Sequence, residues 1–197
     1  MVLNTYSLFK MTITNELIQQ KLTDKFGDQV SNFEVTFDTL SFDANKEINL
    51  KVLNFLQEDG LNFNFLTDLC GVHYPDRQGE ELAVVYHLHN IRENVRIRFK
   101  VYTSITKPDV YTATGLFAAA NWMERETFDF YGINFIGHPN LIRILNVDEM
   151  DYFPMRKEYP LEDQSRTDKD DEMFGRGGML GFGTEKTTHG TIAEDEK

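Results

Sequence analysis

Two alternating segments, Leu82 to His89 and Val95 to Val101, joined by Asn90-Ile-Arg-Glu-Asn94, constrain the fold more than any other part of this chain. Successive side chains on a strand point to opposite faces, so Val95, Ile97, Phe99 and Val101 share one face and Arg96, Arg98 and Lys100 the other. The pattern predicts a β-hairpin whose apolar face lies on the core. Its basic face reads either as a solvated strand surface or as a surface that meets an acidic partner. His87 and His89 also share a face, a spacing open to a metal, but a third ligand is wanting and the neighbouring basic strand would repel a cation.

The segments before the hairpin supply helices and further strands. Leu17, Ile18, Leu22 and Phe26 recur at helical spacing between Thr14 and Gly27, which predicts a first helix. Phe33, Val35 and Phe37 alternate with Glu34, Thr36 and Asp38, the pattern of a half-buried strand. Asn45 to Asp59 predicts a second helix, striped by Ile48, Val52, Phe55 and Leu56 and stopped by Gly60; Phe63 to Val72 predicts a strand running into the turn Tyr74-Pro75-Asp76-Arg77. The fold class expected is mixed α/β (α+β), a largely antiparallel sheet with helices packed on it and an extended C-terminal segment.

The expected organisation is a flexible N-terminus over 1–12, an α/β domain over 13–145 and an extended, partner-binding tail over 146–197. From Asp163 onward the chain is rich in Asp, Glu, Lys, Thr and Gly, with Met173, Phe174, Met179, Leu180 and Phe182 scattered among them. Such a segment buries too little apolar area to offset its ordering entropy and is expected to lie along another protein. The glycine-rich run Gly175 to Gly183 fails as a phosphate loop, because Leu180 replaces a required glycine and Thr184 a required lysine.

With 41% hydrophobic residues in 197, the chain can build a core, while its net charge of −12 argues against binding nucleic acid or anionic lipid. No run approaches the roughly 20 apolar residues that span a bilayer. The N-terminus lacks a basic segment followed by a long apolar core, so a soluble, non-secreted chain is expected. The single cysteine, Cys70, rules out an intramolecular disulfide and a Cys-rich metal site, and reads as a small buried hydrophobe.

The stretch from Asn121 to Leu145 mixes aromatic, charged and backbone-shaping residues most densely. A helix is expected over Leu116 to Tyr131, capped by Thr114 and ended by Gly132, which takes the left-handed conformation without a Cβ clash. Glu124, Arg125, Glu126 and Asp129, like Trp122, Phe128, Phe130 and Tyr131, occupy several faces of it, so it has no plain solvent side. Either Arg125 and Asp129 form a surface i,i+4 pair, or both faces are covered, one by this chain and one by a partner, with the charges in a desolvated network. Pro139 forces His138 out of helical conformation before the strip Leu141, Ile142, Ile144, Leu145, which Arg143 interrupts.

Trp122-Met-Glu124-Arg125-Glu126-Thr-Phe-Asp129-Phe-Tyr-Gly132-Ile-Asn-Phe135, then His138-Pro139-Asn-Leu141-Ile-Arg143-Ile-Leu145, resembles the signature of the C-type, 30-kDa subunit family of respiratory complex I, NADH:quinone oxidoreductase. Pro154-Met-Arg156-Lys157-Glu-Tyr-Pro160 is similar to the family's Pro-Leu-Arg-Lys-aromatic-Pro element, and Tyr74-Pro75-Asp76-Arg77 also fits. Ile142, Met155 and His73 depart from the pattern, standing where the family usually has arginine, leucine and an acid.

The resemblance implies a non-catalytic structural and assembly subunit of the hydrophilic arm, supporting electron transfer from NADH to quinone coupled to proton translocation. It places the chain peripherally on the cytoplasmic side of a bacterial inner membrane, reaching the membrane only through the complex, beside the D-type quinone-site subunit and the iron–sulfur subunits. No cofactor, metal or catalytic residue is expected in this chain; NADH, FMN, iron–sulfur clusters and quinone belong to the partners. Trp122, Glu124, Arg125, Glu126, Asp129, His138, Pro139, Arg143, Arg156 and Lys157 are then interface and positioning residues, and Gly132, Pro154 and Pro160 structural ones. The rivals are the same subunit type in a membrane-bound hydrogenase or another dehydrogenase, and a free-standing hydrolase built on Glu124, Glu126, Asp129 and His138. Against the last, Glu124 and Glu126 lie two apart on a helix and do not converge.

Overall fold

A computed structural model describes residues 13–58 and 60–159, and the architecture is a mixed sheet with helices on one face. The elements in order are α1 (Asn15–Phe26), β1 (Val30–Thr36), β2 (Thr39–Ala44), α2 (Asn49–Gln57), β3 (Phe65–His73), β4 (Leu82–Asn90), β5 (Val95–Thr103), β6 (Asp109–Tyr111), α3 (Ala120–Tyr131) and β7 (Asn134–Ile136). Five strands form the main sheet in the order β1-β2-β5-β4-β3, antiparallel except for β2 beside β5; β6 and β7 form a parallel pair. This is the expected fold class.

The hairpin forms as the alternation requires, with β4 and β5 paired from Leu82 opposite Thr103 to Asn90 opposite Val95. Phe42, Phe99 and Tyr86 are direct neighbours across β2, β5 and β4, and their rings stack at 5.3 and 4.7 Å. Phe33 extends the stack from β1 at 5.5 Å. Ile18 and Leu22 of α1 and Val52, Leu53 and Leu56 of α2 join this side in one core with Ile48, whereas Leu17, Phe26 and Phe55 of the stripes read from the sequence are half-buried and Leu53 is an addition to them. Thr14 caps α1 by accepting the Leu17 N–H at 3.3 Å, and Gly27 ends it with φ +54°.

Three expectations need correction. The strand beginning at Phe33 does not carry Val35 and Phe37 inward: Val35 is exposed and Phe37 is 98% exposed. A bulge between Ser31 and Glu34 breaks the alternation, and Phe37 and Asp38 take positive φ at the tip of a tight hairpin into β2. That second strand, Thr39–Ala44, is an addition to the expected elements, although Leu40, Phe42 and Ala44 alternate with Thr39, Ser41 and Asp43. Finally, α3 begins at Ala120, not near Leu116. The Thr114 hydroxyl is hydrogen-bonded to Thr112, not to a helix N–H, and residues 113–119 run in turns that bury Phe117.

Residues 146–159 belong to the same compact unit as the residues before them. The 1–12 segment, Pro160 and the tail anchors from Met173 to Phe182 lie outside the described residues.

Candidate functional site

Helix α3 closes on the sheet where β3 has no side chain. A Cβ at Gly71 would lie 2.5 Å from the Tyr131 ring and 3.0 Å from the Thr127 side chain, so only glycine permits this approach. The helix ends at Gly132 with φ +73°, its N–H donating to the Phe128 carbonyl at 2.8 Å, as the sequence predicts. Gly132 is fixed twice, because a Cβ there would also strike the Phe153 ring.

The two acids on the inner side of α3 have different tasks. Asp129 is fully buried near the helix end, and the segment after His138 wraps around it. One carboxylate oxygen, Oδ2, accepts the backbone N–H groups of Ile144, Leu145 and Asn146 at 2.8 to 3.0 Å. The other accepts the Arg143 guanidinium at 2.7 Å and the Asn146 amide at 3.1 Å. Burial pushes the Asp129 pKa up, but the three N–H groups and Arg143 outweigh it, leaving the carboxyl well below its ordinary range. The surface Arg125–Asp129 pair, one of the two readings of the sequence, therefore does not form. Arg125 instead donates to the carbonyls of Ile142 and Arg143, both at 3.2 Å, and lies over the Trp122 ring at 5.2 Å.

Glu124, one turn earlier, is also fully buried. Its carboxyl accepts the Ala113 N–H at 2.6 Å and the Thr112 hydroxyl at 2.5 Å, tying α3 to the end of β6. Burial drives its pKa up to about 7, with the two hydrogen bonds opposing the shift. His138 Nε2 lies 4.0 Å from the Glu124 carboxylate and 3.2 Å from the Asn121 carbonyl. Its Nδ1 accepts the Asn140 N–H at 3.0 Å, so in this arrangement the ring carries its proton on Nε2 and donates to Asn121.

Arg143 and Arg156 complete the clasp. Arg143 also donates to the carbonyls of Met150 and Tyr152 at 2.7 and 3.1 Å, and Arg156 to the last carbonyl of α3, Tyr131, at 2.8 Å. The Phe153 ring has both guanidinium groups against it, at 5.3 and 4.6 Å. Lys157 is exposed, but its backbone N–H donates to His73 Nδ1 at 2.9 Å, which gives the unexpected histidine of β3 a definite task. Pro154 is half-buried beside Phe153 in sequence, and Pro139 is exposed after His138.

The structure thus joins Asp129 to Arg143 and brings His138 within 4.0 Å of Glu124 without a hydrogen bond between them, and it leaves Trp122 and Glu126 exposed on the outer side of α3. Glu126 borders a shallow groove of about 360 Å³ with Asp68, Cys70 and Met155. Cys70 is half-buried there, not a core residue, and burial, aided by Asp68 and Glu126, pushes its thiol up to about 11. Glu124, Glu126, Asp129 and His138 do not converge on one site, and the described residues hold no group of three His, Cys, Asp or Glu placed for a metal. Sequence reasoning missed Thr112, Ala113 and Asn146, which act mainly through local backbone geometry and carry no pattern that announces it. Around the clasp, the large apolar side chains of Trp122, Ile142, Leu145 and Val147 are 51 to 65% exposed.

The chain is similar to known proteins over most of its length. The family model described as respiratory-chain NADH dehydrogenase, 30 Kd subunit, matches residues 20–165. A C-type NADH-quinone oxidoreductase subunit of Rhizobium meliloti (strain 1021) is 41% identical over 148 residues, which are 75% of this chain and 72% of that protein. A trypsin-resistant fragment of Nqo5 superposes with a TM-score of 0.55 at 30% identity, covering 64% of this chain and 98% of the fragment. A chain of an archaeal membrane-bound sulfane sulfur reductase superposes at 0.63 with 23% identity, covering 79% and 96%, and shares the fold.

Proposed function

Because the chain belongs to the 30-kDa subunit family of respiratory-chain NADH dehydrogenase, we propose that it works as a non-catalytic scaffold of the hydrophilic arm of an NADH:quinone oxidoreductase. It packs against the quinone-site subunit and neighbouring iron–sulfur subunits, on the cytoplasmic side of the membrane. No helix among the described residues is long and apolar enough to cross a membrane, so this reading has the chain reach the bilayer through its partners. NADH, FMN, the iron–sulfur clusters and quinone belong to those partners, and the complex couples electron transfer to proton translocation.

The observation that carries the reading is how the charges of the Asn121–Leu145 stretch are used. Asp129 and Arg143 spend their hydrogen-bonding capacity on one another and on the backbone of this chain, leaving no group of theirs directed at a substrate. Among the side chains the clasp presents outward are the large apolar ones of Trp122, Ile142, Leu145 and Val147, beside the exposed acids Glu126, Asp148 and Glu149. Buried charge here fixes the shape of an exposed apolar surface, which suits docking to another subunit.

The test is recovery of the tagged full chain from gently solubilised membranes, with its stoichiometric partners identified by mass spectrometry. NADH-oxidising, iron–sulfur and quinone-site subunits are the expected companions. Hydrogenase-type partners would transfer the scaffold role to a different complex, and a chain recovered alone would overturn the reading.

A further inference from the structure

The main sheet has two unlike faces. The core takes Leu82, Val84, Tyr86 and Leu88 from β4 and Ile97, Phe99 and Val101 from β5, together with the apolar stripes of α1 and α2. The alternate residues lie on the other face. Their register places Asp68, His87, Arg98 and Ser41 in one row, and Cys70, Val85, Lys100 and Asp43 in the next. Arg96, Arg98 and Lys100 follow one another along β5 at every second residue; Arg77, which lies over the Tyr102 ring at 4.2 Å beyond them, is paired with Glu80 at 3.8 Å.

None of these three β5 cations is within ion-pair distance of a described carboxylate. Arg98 donates to the neutral Ser41 hydroxyl at 3.1 Å, while Asp43, which keeps its charge as it accepts from the Asn32 amide at 2.7 Å, stands across from Lys100. Along β5 the strip is therefore a positive line, flanked by Asp43 on β2 and Asp68 on β3, on a protein of net charge −12. Such a line favours a partner of the opposite sign and disfavours contact with a second copy of this acidic chain.

We propose that this outer sheet face is a second docking surface, which receives an acidic strip of a neighbouring protein subunit. Its carboxylates recur at about 7 Å, the repeat of alternate residues on a strand, so that they meet Arg96, Arg98 and Lys100 in turn. The inference rests on the scaffold reading and adds to it a surface separate from the apolar rim around the α3 clasp.

Lys100 is the reporter. In the intact purified complex, zero-length carbodiimide coupling followed by mass spectrometry is expected to join Lys100 to an Asp or Glu of another subunit. The variant Arg96→Glu/Arg98→Glu is expected to lower recovery of the chain in the complex roughly tenfold in moderate salt, through like-charge repulsion, with its circular dichroism unchanged. Coupling of Lys100 only to carboxylates of this chain or of a second copy overturns the proposal. So does full acetylation of Lys100 by an amine reagent in the intact complex. If the chain is found in no complex, the scaffold reading falls as well; if it is in the complex with Lys100 open to solvent, only the docking face falls.

Discussion

Phe99 at the centre of the sheet and Asp129 near the end of α3 are equally closed to solvent, yet opposite forces hold their surroundings together. Phe99 sits between Phe42 and Tyr86 in a stack whose stabilisation comes from apolar area removed from water and from close packing. Asp129 gains little from burial as such. Its desolvation is offset only because three N–H groups, Arg143 and Asn146 all point at it. The first arrangement makes the domain stable. The second makes one loop conformation, and the surface above it, unique.

The sharpest way to break the comparison is to damage each region and ask how far the damage spreads. Phe99→Ala removes the middle of the stack and is expected to cost about 3–5 kcal/mol, lowering protection from hydrogen exchange throughout the sheet. Asp129→Ala leaves Arg143, whose side chain is only 11% exposed, and the N–H groups of residues 144–146 without their acceptor, at a cost of about 3 kcal/mol. Here the effect stays local: limited proteolysis is expected to open residues 138–150 while the sheet amides remain protected. Equal loss of protection in both regions would show that clasp and sheet unfold as one.

Acid–base behaviour sharpens the same contrast. Glu124 has its folded pKa raised from 4.5 to about 7, so its contribution to stability is fully present below about 4.5 and is lost as pH rises through about 7. Over that window the difference amounts to about 3 kcal/mol, and Glu124→Gln should flatten the slope of stability against pH. Asp129 runs the other way. Its pKa is depressed, so its contribution is present above the ordinary carboxylate range and is lost as pH falls through the folded value. Denaturant titrations between pH ~4 and ~8 check the Glu124 slope, and an unchanged slope in the glutamine variant would remove Glu124 as its source.

The smallest change in stability is expected at Arg125. Arg125→Ala forfeits two hydrogen bonds to loop carbonyls and the Trp122 contact, about 1 kcal/mol in the isolated domain. Its larger effect falls on assembly, because Arg125 links the exposed Trp122 to the loop bearing Ile142. A normal yield of complex from the variant would separate this contact from docking.

Much of this anatomy is legible in the residues. Gly132 announces the end of α3, and the alternation from Leu82 to Val101 announces the hairpin. The β2 strand is equally readable in Leu40, Phe42 and Ala44, but the neighbouring run from Phe33 to Phe37 carries the same period and competes with it for the assignment. Three-residue strands such as Asp109–Tyr111 and Asn134–Ile136 are too short to show a period at all.

By itself the sequence determined the fold class, the apolar stripes of α1, α2 and β5, the helix stop at Gly132 and the family resemblance of the Asn121–Leu145 stretch. These depend on residue type and spacing within a single element, and a short window of chain holds that information. The tertiary structure alone decided that Asp129 pairs with Arg143 and not Arg125, that Glu124 is tied to Thr112 and Ala113, and that residues 146–159 fold back onto α3. Those outcomes depend on which oxygen meets which N–H once distant segments are packed. Desolvation then makes the choice strict, since a buried carboxylate without its donors is far costlier than one left in water.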